Sequence, residues 1–275
     1  MLLAALGDIH GRFERVEGWL ESLARAHGRP VDLALAVGDL ETFDAEAQSL
    51  RKRTKRAGAA EFGAYARGAR RLPCPLAFVG GNNEDFAALH GMPQGGELAP
   101  DVRYLGRAGA TELAGLRTAF LSGIHAPTSF DLPLRAPTNL DLARRAGHFR
   151  RGEVEQVTQL TGHVELLLLH DWPRGLIRGG EGPRPRPPAY WGNTVATELI
   201  HALRPSWVLC GHQHRAWAAT LGHSRVACLD QAEAPERSVL WLEASAGRIT
   251  RVGWGVGAEA AWSTGAPWSP RCVPG

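Results

Sequence analysis

The chain has 275 residues, 44% of them hydrophobic and 21% charged, with a formal net charge of +3. That balance excludes a disordered polymer, and the length admits a substantial core in one large domain or two small ones. No apolar run approaches the roughly 18 to 20 residues of a bilayer-spanning helix, and the four cysteines form no CxxC pair or regular framework, which excludes a helical membrane protein and a disulfide scaffold.

The residues before Gly7 are too few for a signal h-region, so the chain reads as a reducing, cytoplasmic protein with no membrane partner. Its positive charge is nearly all arginine, with lysine only at Lys52 and Lys55. Mild basicity suits an anionic substrate, and a solvated surface accounts for it equally well.

In chain order, short apolar runs ending in Gly, Asp, Asn or His punctuate the sequence. Leu2–Leu6 runs into Gly7-Asp8-Ile9-His10-Gly11, and a helical pattern follows over Phe13–Arg25. Leu33–Val37 leads to Gly38-Asp39, with a second helical pattern over Glu41–Arg71. Leu76–Val79 leads to Gly80-Gly81-Asn82-Asn83-Glu84, and Leu166–Leu169 to His170-Asp171. A helix over Val195–Leu203, capped by Asn193 or Thr194 and ended by Arg204-Pro205, precedes Trp207–Cys210 and its Gly211-His212-Gln213-His214.

Apolar runs of four or five residues between turn formers suit strands buried on both faces. The alternation predicts α/β layers around a central sheet, with ligands gathering beyond the carboxyl ends of its strands. Arg103–Leu105, Thr118–Leu121, Arg225–Leu229, Ser238–Leu242 and Ile249–Gly253 predict a second sheet facing the first, with helices outside. Gly179–Pro188, interrupted by prolines, is a loop. Ala126–Phe149 lacks a period and is expected to be irregular structure over the site. The expected domain covers residues 1–253; residues 254–275 are a peripheral tail that Trp262 and Trp268 dock to the body.

The punctuating residues offer metal-ligand atoms. Asp8 and His10 stand at i and i+2, and the flanking glycines let both reach one ion. Asp39 can bridge two cations through its two oxygens, Asn82 offers an amide oxygen, and His170, His212 and His214 offer imidazoles. A single Gly-Asp is commonly a turn and a single His-x-His a surface feature, but five such segments at the ends of apolar runs point to a dinuclear site. The mixed O/N set suits Mn, Fe, Zn, Co or Ni better than Ca or Cu(I).

The series GDIHG, GD, GN-x-E, HD and GHQH resembles the calcineurin-like metallophosphoesterase superfamily. Gly80–Glu84, Tyr104-Leu105-Gly106, Ser122-Gly123-Ile124, Gly147-His148-Phe149 and, most specifically, His170-Asp171-Trp172-Pro173-Arg174-Gly175 resemble its RNA lariat debranching branch. The likeness covers roughly residues 1 to 245. It implies a four-layer α/β/β/α sandwich of two facing mixed sheets with flanking helices. It also implies a first divalent metal on Asp8, His10, Asp39 and His214, and a second on Asp39, Asn82, His170 and His212, with Mn favoured. The implied reaction is in-line displacement at phosphorus by a metal-activated water.

Two departures stand out. Debranching enzymes commonly carry Cys at the position of Asp8, so two-metal occupancy is easier here. The branch's Gly-Asn-His-Glu is Gly-Asn-Asn-Glu, and Asn83 donates a hydrogen bond but no proton. The expected loss is about 10²–10⁴-fold for a poor leaving group unless another acid takes over. Asn83 is therefore expected on a phosphate oxygen, His125 or His148 as substitute acids, and Arg174 on a phosphate. For both histidines a structural role fits as well. Asp171 and Glu84 are expected to orient ligands, and Trp172 either stacks on a base or wedges the core. Arg51–Arg56, with Arg67, Arg70 and Arg71, reads as a cationic rim for a nucleic-acid backbone or as a solvated helix face.

The leading expectation is a phosphodiesterase acting on 2′,5′-linked RNA or other nucleic-acid diesters. The alternatives are a phosphomonoesterase acting on nucleotides or phosphoproteins, and a metal-bound binding protein that has lost turnover.

Overall fold

The computed structural model describes residues 1–42, 61–177, 191–264 and 268. The chain builds one half of a sheet, then a complete second sheet, and returns to finish the first. β1 (Leu2–Leu6), β2 (Leu33–Ala36), β3 (Leu76–Phe78), β4 (Gly96–Ala99) and β5 (Val102–Tyr104) come first. β6 (Ala108–Leu113), β7 (Leu116–Leu121), β8 (Leu166–Leu169), β9 (Trp207–Cys210), β10 (Trp217–Leu221) and β11 (Ser224–Cys228) form the second sheet in the order β10-β11-β9-β8-β7-β6. β12 (Val239–Ser245), β13 (Arg248–Trp254) and β14 (Trp262–Ser263) complete the first, ordered β14-β13-β12-β1-β2-β3-β5-β4. Both sheets are mixed: β1, β2 and β3 are parallel, as are β7, β8 and β9, while β12 runs antiparallel to β1.

Strand periodicity places the layers. In β1, Leu2, Ala4 and Leu6 face the helix-covered outside, where they pack with Phe13, Val16, Leu20 and Leu23 of α1 (Phe13–His27). Leu3 and Ala5 face inward, onto a core between the sheets shared with Leu35, Leu166, Leu168, Trp207 and Leu209. Leu167, Leu169, Val208 and Cys210 point out of the second sheet. They meet Val157, Ala196, Leu199 and Ile200, which belong to helices at Arg151–Thr158 and Thr194–Leu203. Both faces of the central strands are buried, which gives the α/β/β/α sandwich and explains runs that are apolar at every position.

Several expectations are corrected. The two sheets do not divide the strands as expected: β8 and β9 belong with β7 and β11, whereas β5, β12 and β13 join β1, β2 and β3. A strand buried on both faces has the same pattern whichever sheet it joins, so its apolar run does not encode its partner. The helix expected over Glu41–Arg71 is represented among the described residues by Phe62–Ala66 alone. Glu41 is not helical, and residues 43–60, including the basic run at 51–56, lie outside the described residues, as do 179–188. The Ala126–Phe149 segment is more regular than expected, with helices at Pro127–Phe130 and Leu140–Ala146.

The helix over Thr194–Leu203 begins as expected, with the Asn193 side chain accepting from the Ala196 N–H, and ends at a left-handed Arg204. Beyond β13, Trp262 is buried in the core between the sheets, and the rings of Trp262 and Trp268 lie edge-on to Trp207 at 5.4 and 5.0 Å. The indole N–H of Trp268 donates to the Ala219 carbonyl. No helix among the described residues is long and apolar enough to cross a membrane.

Candidate metal centre

The ligand loops follow the C-terminal ends of parallel strands and are zipped together by backbone hydrogen bonds. His10 and Gly11 donate to the carbonyls of Asp39 and Leu40, and Gly211 donates to that of His170. Buried Glu84 clamps the second loop to the third, accepting from the N–H groups of Leu40, Glu41 and Gly81 at 3.0–3.1 Å. Burial, then the charge of Asp39, pushes the Glu84 carboxyl well above the usual carboxylate range. Two glycines let carboxylates approach the backbone: a Cβ at Gly81 would collide with Oδ1 of Asp39, and one at Gly211 with Oδ1 of Asp8.

His10, Asp39, Glu41, His212 and His214 all carry left-handed φ values of +49° to +67°. Asp and His tolerate this region better than most residues, but several together mark a site whose geometry the surrounding fold imposes.

One ligand atom from each of Asp8, His10, Asp39 and His214 lies within 4.8 Å of the others. The Nε2 atoms of His10 and His214 are 3.0 Å apart, and His214 Nε2 is 3.2 Å from Oδ2 of Asp8. On the other side of Asp39, its Oδ1 is 3.4 Å from His170 Nε2, which is 3.1 Å from the Asn82 amide oxygen. The ring of His212 lies 5.1 Å from that of His170. Asp39 thus stands between two groups, Asp8–His10–His214 and Asn82–His170–His212.

These residues fit a pair of cations on three counts. His10 Nδ1 lies 2.8 Å from a Glu41 carboxylate oxygen and His170 Nδ1 lies 2.7 Å from the Val37 carbonyl, so each ring donates through Nδ1 and presents the Nε2 lone pair inward. The Nε2 atoms of His10 and His214, 3.0 Å apart, are close enough for both to hold one ion. Asp8, Asp39 and Glu41 are all buried, a concentration of carboxylates that demands positive charge. Burial opposes charging of both Asp39 and His170, yet their mutual attraction, with His10 and Asp8, lowers the Asp39 pKa to about 2 and raises that of His170.

Among protein families, the calcineurin-like phosphoesterases match residues 1–216 of the chain. The chain belongs to this family. The lariat debranching enzyme of Drosophila melanogaster is 30% identical to this calcineurin-like phosphoesterase over 250 residues, 85% of this chain and 46% of that protein. The human lariat debranching enzyme is 29% identical over 240 residues, 81% and 44% of the respective chains. The chain therefore spans about half the length of the curated relatives it matches. The crystal structure of TT1561 of Thermus thermophilus shares the fold, with a TM-score of 0.53 at 17% identity over 93% of this chain and 98% of that one.

The remaining expected residues lie around this centre. Asn83 is turned onto Asp39: its backbone N–H and side-chain amide each donate to that carboxylate at 2.6 Å. His125 packs against the rings of Phe130 and Phe149, and burial lowers its pKa. His148 bonds Ser129; burial, then Arg150, Arg107 and Arg145, press it down to about 4. These neighbours favour the neutral imidazole at His148. Arg174 is exposed beside His125. Asp171 accepts from the N–H groups of Trp172 and His125 and from the Asn193 amide, tying three segments behind His170. Trp172 is fully buried 5.8 Å from Trp191, a core wedge with no face open to a base. Arg70 pairs with Glu14 and Glu17, and Arg71 with Asp101, so neither is a free rim charge.

Sequence reasoning missed Glu41, which falls inside an expected helix, and Asn193, expected only as a cap. It also missed Arg144, Arg145 and Arg150, in the segment without a period. A carboxylate two residues beyond Asp39 is the one signal available for Glu41.

Proposed function

We propose that this calcineurin-like phosphoesterase is a dinuclear-metal phosphodiesterase acting on a nucleic-acid backbone, with 2′,5′-linked RNA the first candidate. The observation carrying this reading is the position of Asp39, flanked by His10 and His214 on one side and His170 and Asn82 on the other. Asp8, His10, Asp39 and His214 would hold the first cation, and Asp39, Asn82, His170 and His212 the second. The donor set suits Mn, Fe, Zn, Co or Ni. Bound there, the two ions supply Lewis acidity for ionising water and neutralising charge at phosphorus.

The chain's own residues do the rest. Asn83 and Glu84 hold the shared carboxylate and its loop. Asp171 fixes the His170 loop. With Asn83 in place of a histidine, a nucleic-acid diester, which expels a ribose oxygen, is expected to turn over more slowly than an aryl diester unless another group supplies the proton.

The nucleic-acid reading draws on the relatives' names and on charge. A cleft of about 310 Å³ lined by Asn82, Thr128, Arg144, Arg145 and His148 opens beside a proposed metal ligand. A second cleft of about the same volume, lined by Arg135, Arg145 and Arg150, shares Arg145 and Asp141 with it. A cationic track of this kind suits successive phosphates of one strand.

The test is turnover by Mn-reconstituted protein of a 2′,5′-branched RNA, its linear 3′,5′ control, bis-p-nitrophenyl phosphate and p-nitrophenyl phosphate. Selective cleavage of the branch is expected. Cleavage of the monoester alone would replace the reading with a phosphomonoesterase, and metal binding without turnover of any ester would replace it with a binding protein.

A further inference from the structure

We propose that Glu41 is a positioning residue that makes the site formed by Asp8, His10, Asp39 and His214 the tighter of the two; this rests on the two-metal reading above. The basis is an asymmetry behind the ligands. The imidazole of His10 donates through Nδ1 to a carboxylate at 2.8 Å, with both side chains 1% exposed. The imidazole of His170 donates through Nδ1 to the neutral Val37 carbonyl at 2.7 Å. An anionic partner draws the Nδ1 proton more strongly and makes the opposite nitrogen a better donor.

The ligands themselves lean the same way. The first set has Asp8 to itself and shares Asp39; the second shares Asp39 and otherwise contains neutral Asn82 and two imidazoles. Two carboxylates backed by a third attract a dication more strongly than one.

Glu41 is put in place by contacts distant in sequence. Glu84 accepts from the N–H groups of Leu40 and Glu41, while the Leu40 carbonyl accepts from Gly11. The backbone of Glu41 is left-handed at φ +55°, a conformation that side-chain-bearing residues adopt only when their surroundings require it. The clamp holds Glu41 with its carboxylate on His10. Its carboxylate bonds His10, which belongs to the first site alone, so its effect is expected to fall mainly there.

The experiment titrates the metal-free chain of 275 residues with Co2+ in equilibrium dialysis, counting bound metal, for wild type, Glu41→Gln and Glu41→Asp. Wild type is expected to bind two ions with unequal affinity. Both variants are expected to weaken the tighter site about 10–100-fold, with a smaller effect on the other. Fewer than two ions on wild type would defeat the two-metal reading itself. Two ions on wild type with the tighter affinity intact in both variants would overturn the role of Glu41 alone. A measurement on wild type needs no variant to fold. In imidazole nitrogen spectra recorded during a Zn2+ titration, His10 and His214 must respond to the first equivalent and His170 and His212 to the second. The reverse order would overturn the proposal.

Discussion

The Asn83 amide donates to Oδ2 of Asp39 at 2.6 Å, so the residue expected on a phosphate oxygen grips the carboxylate proposed to be shared by both cations. The backbone N–H of Asn83 grips the other oxygen. Removing the side chain therefore leaves one of two restraints. Asn83→Ala is expected to weaken metal retention about 10-fold, in line with loss of a hydrogen bond to a charged group. Asn83→His is expected to raise the ratio of turnover for alkyl-leaving-group diesters to that for bis-p-nitrophenyl phosphate. An unchanged ratio in steady-state assays would show that the proton at the leaving oxygen is not limiting.

Asp39→Ala removes the shared ligand outright. Both ions and all hydrolysis are expected to be lost, while the circular dichroism spectrum of the sandwich is retained. Metal analysis after desalting checks this, and near-normal turnover would sink the site assignment.

Gly81→Ala and Gly211→Ala test the close approach. Neither glycine has the left-handed backbone seen elsewhere in the site, so the added methyl acts through collision, with Asp39 at Gly81 and with Asp8 and Val37 at Gly211. Such overpacking costs about 1–3 kcal/mol. Each variant is expected to melt at lower temperature and to lose metal. A variant with wild-type melting and stoichiometry would mean that the loops yield where the packing says they do not.

Acid stability should report on His148. Its pKa in the folded chain is about 4, below its ordinary 6.5, because burial and the neighbouring arginines oppose protonation. Between these values the unfolded chain binds more protons. This contribution is therefore complete above pH 6.5 and is lost as pH falls through 6.5 toward 4. His148→Gln is expected to flatten the dependence of the melting temperature on pH across that window in metal-free protein. Parallel wild-type and variant curves would exclude the coupling.

Arg145 lines both clefts, and although it pairs with Asp141 at 2.8 Å its side chain is exposed. Arg145→Ala is expected to weaken RNA binding and to lower the slope of log affinity against log salt by about 1. Turnover of bis-p-nitrophenyl phosphate, too small to reach the clefts, should not change. An unaltered salt slope would remove Arg145 from the nucleic-acid path.

By itself, the sequence determined where strands end and which candidate ligand atoms follow them. Both are local properties: apolar runs report burial, and Asp8, His10, Asp39, Asn82, His170, His212 and His214 are written next to the turns that carry them. Tertiary structure decided which sheet each strand joined, because Leu166–Leu169 and Leu2–Leu6 are equally apolar on both faces and only packing across the sandwich separates them. It also decided what stands behind the ligands. Asn83 reaches Asp39 and Glu41 reaches His10 across 44 and 31 residues of chain. Such hydrogen bonds have no periodicity or spacing to read, and arise only when the strands have brought their loops to one rim.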